Sequence, residues 1–261
     1  MQLLPLGTNG FIPSHGRQTM SFLLVDSAAV LLLDAGSGVS RLLEEPVAAA
    51  LDGVERLDVV LTHYHLDHVI GLSYLPGVAR DRRVRIFAPA PPLTEGGPEA
   101  LGRLIAPPLF PITLDRWPMP VEVVPYGGPE LEVGPFRLRV RAQRHPGGSV
   151  GIRVDDRLAY VTDTVVDPET ARFARGVGTL LHEVWLTAAE AEYDDAGRTG
   201  HSAAPGVAEL ARRAEVGRLI PIHHHPRRSA AGIEELARDL ALRSGCEVRL
   251  ALEGQRLDLE R

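Results

Sequence analysis

A layered α/β fold is what this sequence predicts, and three observations predict it. Apolar runs of strand length recur along the 261 residues, helical patterns fall between several of them, and many runs end abruptly in polar, turn-rich loops, as in AVLLLDAGSG and RLDVVLTHYH. Such a length suits one α/β sandwich and is ample for a large core. We expect a single domain over residues 1–261, because no repeat, low-complexity tract or linker interrupts the pattern.

The expected strands are QLLPL, SFLLV, AVLLLD, LDVVLT, VRIFA, VEVVPY, FRLRVRAQ, SVGIRV, LAYVTD, TLLHEVWL, RLIPI and EVRLAL. Helices are expected at 40–51, 98–105, 203–215 and 231–243; in the last, Ile233, Leu236, Leu240 and Leu242 recur near helical spacing. The first part of the chain is thus strand-rich, and the last part alternates helix and strand. Residues 89–120, from PAPPLTEGGP through APPLFPITLDRWPMP, are dense in proline. Proline breaks regular pairing, so this stretch reads as an inserted excursion, either a rigid surface loop or an arm that touches substrate.

Composition excludes several classes. One cysteine, Cys246, rules out an intramolecular disulfide and argues against a thiolate metal site. No apolar run approaches the roughly 20 residues that span a bilayer. The segment MQLLPLGTNG lacks the basic-then-apolar order of a secretory signal. A cytoplasmic location with no membrane partner is expected. The net charge of −6 disfavours a broad nucleic-acid surface. All 28 basic residues are arginine; that global bias points to no site.

The chemistry concentrates at LTHYHLDHVIG. Side chains two apart on an extended chain point the same way, so His63 and His65 can face one point, while Asp67 and His68, one turn later, can converge on a neighbouring one. Imidazole nitrogen and carboxylate oxygen are zinc ligands at roughly 2.0–2.2 Å. Further candidates stand at other strand ends: His145 in QRHPGGS, Asp163 in YVTDT and His223 in PIHHHP. Strand ends are where layered α/β proteins assemble sites.

Together these residues resemble the metallo-β-lactamase superfamily, whose pattern is HxHxDH followed by separate His, Asp and His ligands. The early LLPLGTNG…SFLLVDSAAVLLLDAGSG resembles that family's first strands and strand-end Asp. The resemblance implies an αββα sandwich with a metal site at one edge. It implies that His63, His65 and His145 hold one divalent ion, that Asp67, His68 and His223 hold a second, and that Asp163 bridges them, with Asp34 buried behind the motif loop. Zinc is the expected metal, with manganese or iron as alternatives. Two ions about 3.5–4 Å apart can clamp a hydroxide and polarise a substrate oxygen, with Asp67 accepting a proton or orienting the nucleophile.

Between Asp163 and His223, TLLHEVWL and TGHSAAPGVAELARR resemble the ribonuclease Z and phosphodiesterase branch. His201 is then expected to stabilise charge and protonate the leaving oxygen, Glu183 to orient His201 or raise its pKa, and Ser202 to cap a helix. Segment GTNGFIPSHGRQT could bring Arg17 to the substrate. That branch usually carries a long basic arm for transfer RNA, whereas residues 89–120 are short, with Arg103 and Arg116 alone as basic residues. A small, cyclic or short nucleotide-type phosphodiester is therefore the expected substrate. Hydrolysis of another ester, lactone or thioester, transfer RNA 3′-end cleavage, and a non-catalytic metal-binding accessory role are the alternatives. A homodimer is common in the resembling branch.

Overall fold

The computed structural model describes residues 1–193 and 196–259. Its organisation follows from alternation within single strands. In β3 (Ala29–Leu33), Leu31 and Leu33 join the core between two sheets, while Val30 and Leu32 join a second core on the outer face. Residues two apart share one face of a strand, so AVLLL, apolar on both sides, belongs to a sheet covered on both faces.

The first sheet contains β1 (Gln2–Gly7), β2 (Ser21–Asp26), β3, β4 (Arg56–Val60), β5 (Arg83–Pro89) and β6 (Val121–Tyr126). The second contains β7 (Glu130–Val133), β8 (Phe136–Gln143), β9 (Ser149–Val154), β10 (Leu158–Val161), β11 (Thr179–Glu183), β12 (Arg218–Ile222) and β13 (Glu247–Val248). A short β14 (Leu257–Asp258) returns to the free edge of the first sheet, pairing Leu3 with Leu257. The orders are β14-β1-β2-β3-β4-β5-β6 and β13-β12-β11-β10-β9-β8-β7.

Helices cover the outer faces. Short helices α1 (Leu66–Val69), α2 (Leu75–Val78) and α3 (Glu99–Leu104) belong to the first sheet's side. On the other side lie α4 (Pro168–Phe173), α6 (Ala204–Ala214) and α7 (Ala230–Ser244), with a short α5 (Ala196–Thr199) preceding α6. Val207 and Leu210 of α6 and Leu236 and Leu240 of α7 pack on Ala159, Val161, Leu180 and Leu219. The boundaries of α7 are chemical: the Ser229 hydroxyl accepts from the Gly232 N–H, and Gly245 closes the helix at φ 70°. The αββα sandwich is therefore present. Among the described residues, no helix is long and apolar enough to cross a membrane.

Several local readings change. The helix expected at 40–51 is two 3-10 segments, Ser37–Leu43 and Ala48–Leu51, with Pro46 between them. Proline has no N–H to give a helix and disfavours the helical conformation in the residue before it. In TLLHEVWL and EVRLAL the strands proper span only Thr179–Glu183 and Glu247–Val248. Within 89–120, Leu101, Ile105, Trp117 and Met119 are buried in the outer core of the first sheet. Proline stops pairing there but does not keep neighbouring apolar side chains out of the core.

Strand direction brings the polar strand ends together. Strands β10 to β12 run parallel, and β8 points the same way because β9 is antiparallel to both β8 and β10. In the other sheet, β3 and β4 are parallel. Asp34, Thr62–His63, His145, Asp163 and His223 each follow the C-terminal end of one of these strands.

Candidate metal centre

Seven side chains meet where these strands end. His63, His65, His145 and Asp163 form one group whose ligand-type atoms lie within 4.8 Å of one another; Asp67, His68 and His223 form another. Asp163 lies between them. Its Oδ2 is 3.3 Å from His145 Nε2 and 3.6 Å from His63 Nε2. Its Oδ1 is 3.1 Å from His68 Nε2 and 3.2 Å from His223 Nε2. Asp67 Oδ2 stands 3.3 Å from His223 Nε2 and 3.5 Å from His68 Nε2, and His65 Nδ1 is 3.1 Å from His145 Nε2. Four atoms bonded tetrahedrally at about 2.0–2.1 Å would sit about 3.3–3.4 Å apart. The spacing therefore suits donors sharing a cation.

The opposite ring edges explain why these nitrogens face inward. Asp34 is fully buried; its carboxylate accepts from the Thr62 N–H (2.7 Å), the Thr62 hydroxyl, the Tyr160 hydroxyl (2.7 Å) and His68 Nδ1 (2.8 Å). His68 therefore carries its proton on Nδ1. Because the Thr62 hydroxyl donates to Asp34, its oxygen is left to accept from His63 Nδ1 at 3.0 Å. His145 Nδ1 donates to the Gly200 carbonyl at 3.0 Å. In all three rings Nε2 is left with its lone pair, the form that ligates metal. His63 Nε2 and His68 Nε2 are buried and make no hydrogen bond, a costly state for a polar atom and a fitting one for a donor aimed at a cation.

Electrostatics agree with that fit. Burial, reinforced for His63 by neighbouring His68, holds His63, His65 and His145 below the ordinary histidine pKa, which favours their neutral form. Burial also acts against a charged His68, yet Asp163, Asp67 and Asp34 outweigh it and push its pKa well up. This corner of the protein demands positive charge. Burial disfavours charge on Asp67 and Asp163 as well, but the facing histidines keep both below the usual carboxylate range.

Loops are pulled tight around the cluster. Asp34, Asp163 and His223 have φ of 56°, 47° and 53°, the left-handed region that costs a non-glycine residue energy and gathers at functional sites. Gly10 packs against the His223 ring, where an added Cβ would come within 2.3 Å of it. The loop after β1 is clipped down by Gly10 N–H to His224 O at 3.0 Å and by Phe11 N–H to Asp67 Oδ2 at 2.7 Å. Of the three consecutive histidines, His223 alone faces both aspartates; His224 is buried behind it, and His225 lies edge-on to Trp185.

His201 stands at the rim. Its Nδ1 is 3.2 Å from both oxygens of Glu183, which also accepts from the Thr164 N–H at 2.6 Å. Burial opposes its charge, but Glu183, helped by Asp163 and Asp67, holds its pKa above the ordinary value. With Asp163 and His223 it forms a third group of metal-ligating spacing. It precedes α6 by three residues rather than starting it, and Ser202 is not a cap: the residue before the helix is Ala203, and Ser202 Oγ donates to Thr164 O at 2.6 Å. Arg17 is engaged away from the cleft, with Asn9 Oδ1 and the Arg228 carbonyl. Sequence reasoning did not find Trp185, which stacks on His201 at 4.6 Å and 17°, nor Thr62 and Tyr160. Trp185 follows His182-Glu183-Val184 directly, but only the fold shows that it turns into the cleft.

Replacing Asp34 with Asn puts an amide N–H where four donors converge, so the rings of His63 and His68 lose their fixed tautomer. We predict that Asp34→Asn weakens metal binding by roughly 10–100-fold, measured by competition with a chromophoric chelator. Unchanged affinity in a folded variant would remove Asp34 from ligand positioning.

Comparisons with known proteins point the same way. Residues 30–224 match the sequence model of the beta-lactamase superfamily domain. Ribonuclease Z of Bradyrhizobium sp. (strain ORS 278) is 34% identical over 151 residues, 55% of this chain and 46% of that protein, so the match spans about half of its length. Ribonuclease BN of Enterobacter sp. (strain 638) is 25% identical over 92% of this chain and 94% of its own. Among solved structures, the metallo-beta-lactamase fold protein YhfI from Bacillus subtilis superposes with a TM-score of 0.77 at 21% identity, covering 98% of both chains. With a domain match running from β3 past β12 and a histidine–aspartate cluster at the shared end of both sheets, the chain belongs to the beta-lactamase superfamily.

Proposed function

We propose that this protein is a dinuclear metal-dependent hydrolase that cleaves a small phosphodiester. In this reading His63, His65 and His145 would hold one ion, Asp67, His68 and His223 the other, and Asp163 would be shared. Nitrogen and oxygen donors in a buried setting favour zinc. Such ions, when bound, lower the pKa of water and polarise a phosphoryl oxygen.

The observation that carries the reading is the Glu183–His201 pair beside the cluster. A phosphodiester needs a proton for its leaving oxygen. His201 gives Nδ1 to Glu183, so Nε2 is the atom that can deliver one, and the carboxylate favours the protonated ring that has a proton to give. Stacking on Trp185 fixes the ring plane. Asp67, held by the Phe11 N–H, would orient the nucleophile. The relatives named ribonuclease Z and ribonuclease BN favour phosphodiester chemistry over lactone or thioester opening.

Those same names support a second reading, cleavage of RNA, with the 3′ end of transfer RNA as the expected site. The net charge of −6 and a proline-dense 89–120 segment with two arginines favour the smaller substrate. The test is a substrate panel under identical metal loading: bis(4-nitrophenyl) phosphate, a lactone, a thioester and a precursor transfer RNA. We expect turnover of the phosphodiester to lead. A lactone or thioester turned over faster would overturn the reading.

His201→Ala should keep its metal and lose on the order of 10²–10⁴ in rate on a diester with a poor alcohol leaving group. The loss should shrink with 4-nitrophenolate, which leaves without a proton. Equal losses on both would assign His201 to charge stabilisation, and no loss on either would make it structural.

A further inference from the structure

The walls of the cleft indicate what the substrate carries besides its phosphate. A cavity of about 520 Å³ opens over His65, Asp67, His145, Asp163, His201 and His223. Apart from these and Thr199, it is lined by Phe11, Ile12, Leu66, Pro146 and Trp185. The chain has 28 basic residues, all arginine, yet among the described residues none lines this cleft. Phe11 is 68% exposed, Leu66 64% and Ile12 46%. Large apolar side chains left open to water around one cavity mark a binding surface.

These groups are held in place. Phe11 has φ 65°, a backbone conformation costly for phenylalanine, and its N–H is tied to Asp67 Oδ2. Leu66 opens α1, between His65 and Asp67. Trp185 is stacked on His201, and its backbone N–H donates to Ser202 O at 3.0 Å. Phe11, Leu66 and Trp185 are therefore each one bond or one ring contact from a residue of the proposed site. A polyanionic strand would call for cations along these walls, whereas an uncharged apolar group gains by leaving water for them.

We infer that the substrate is a monoanionic phosphodiester whose non-leaving ester group is uncharged and apolar, seated against Phe11, Ile12 and Leu66. The inference rests on the phosphodiesterase reading and narrows its substrate class.

The test compares methyl 4-nitrophenyl phosphate with phenyl 4-nitrophenyl phosphate on metal-loaded protein. The leaving group is the same, so the kcat/KM ratio reports the other ester group. We expect the phenyl ester to lead by on the order of 10–100-fold, the scale of burying one ring. That ratio should fall about fivefold or more in Phe11→Ser and in Leu66→Ser, both at exposed positions where folding is insensitive to the change. Phenylphosphonate should also bind more tightly than methylphosphonate by calorimetry, and the difference should shrink in the same variants. Diesters turned over within about threefold of each other, together with equal phosphonate affinities, would overturn the inference and leave the phosphodiesterase reading standing. No turnover of either diester by fully loaded protein would overturn that reading, and the inference with it.

Discussion

The site depends on one constraint: His63, His68 and His145 must each present a bare nitrogen, so something else must hold the proton on the far side of each ring. The Asp34 carboxylate does this for His68 directly and for His63 through the Thr62 hydroxyl. The Gly200 carbonyl does it for His145. A neutral histidine has one donor and one acceptor nitrogen, so fixing the outer one decides the inner one. Asp34 can serve two rings because it is fully buried and meets donors from β10 and from the loop after β4 as well as His68.

The fold makes this placement possible. Parallel and like-directed strands put their C-terminal ends at a common edge, and the loops there need not continue a regular ladder. Left-handed backbone at Asp34, Asp163 and His223 turns those side chains inward at the first residue or two after each strand. The apolar sandwich behind them, with Phe22 edge-on to Tyr160 at 5.6 Å, keeps the Tyr160 hydroxyl on Asp34. The strain of the turns and the burial of two aspartates are tolerated because the surrounding packing fixes them.

Much of this was legible in the sequence, for identifiable reasons. His63, His65, Asp67 and His68 are close in sequence, so local geometry alone brings them near one another. His145, Asp163 and His223 were readable because each follows a strand-length run, alternating in FRLRVRAQ and apolar in LAYV and RLIPI. Trp185, Thr62 and Tyr160 were not readable: a tryptophan, threonine or tyrosine near a strand end is equally at home in a core, and only the assembled sheets bring Tyr160 and Thr62 onto Asp34 and Trp185 onto His201. Ser202 misled because a serine before a helix usually caps it, whereas here a buried carbonyl, that of Thr164, competes for its hydroxyl. The helix expected at 40–51 failed at Pro46, a local signal outweighed by the apolar periodicity around it.

The central claim is that Asp163, with one oxygen facing His68 and His223 and the other facing His63 and His145, is shared by two cations. The most direct measurement is the metal-to-protein ratio, by elemental analysis, of chain purified without chelator, saturated with zinc and freed of loosely held metal. The account predicts close to two ions per chain, falling towards one or none in Asp163→Ala. A saturated wild-type chain holding a single ion would contradict it.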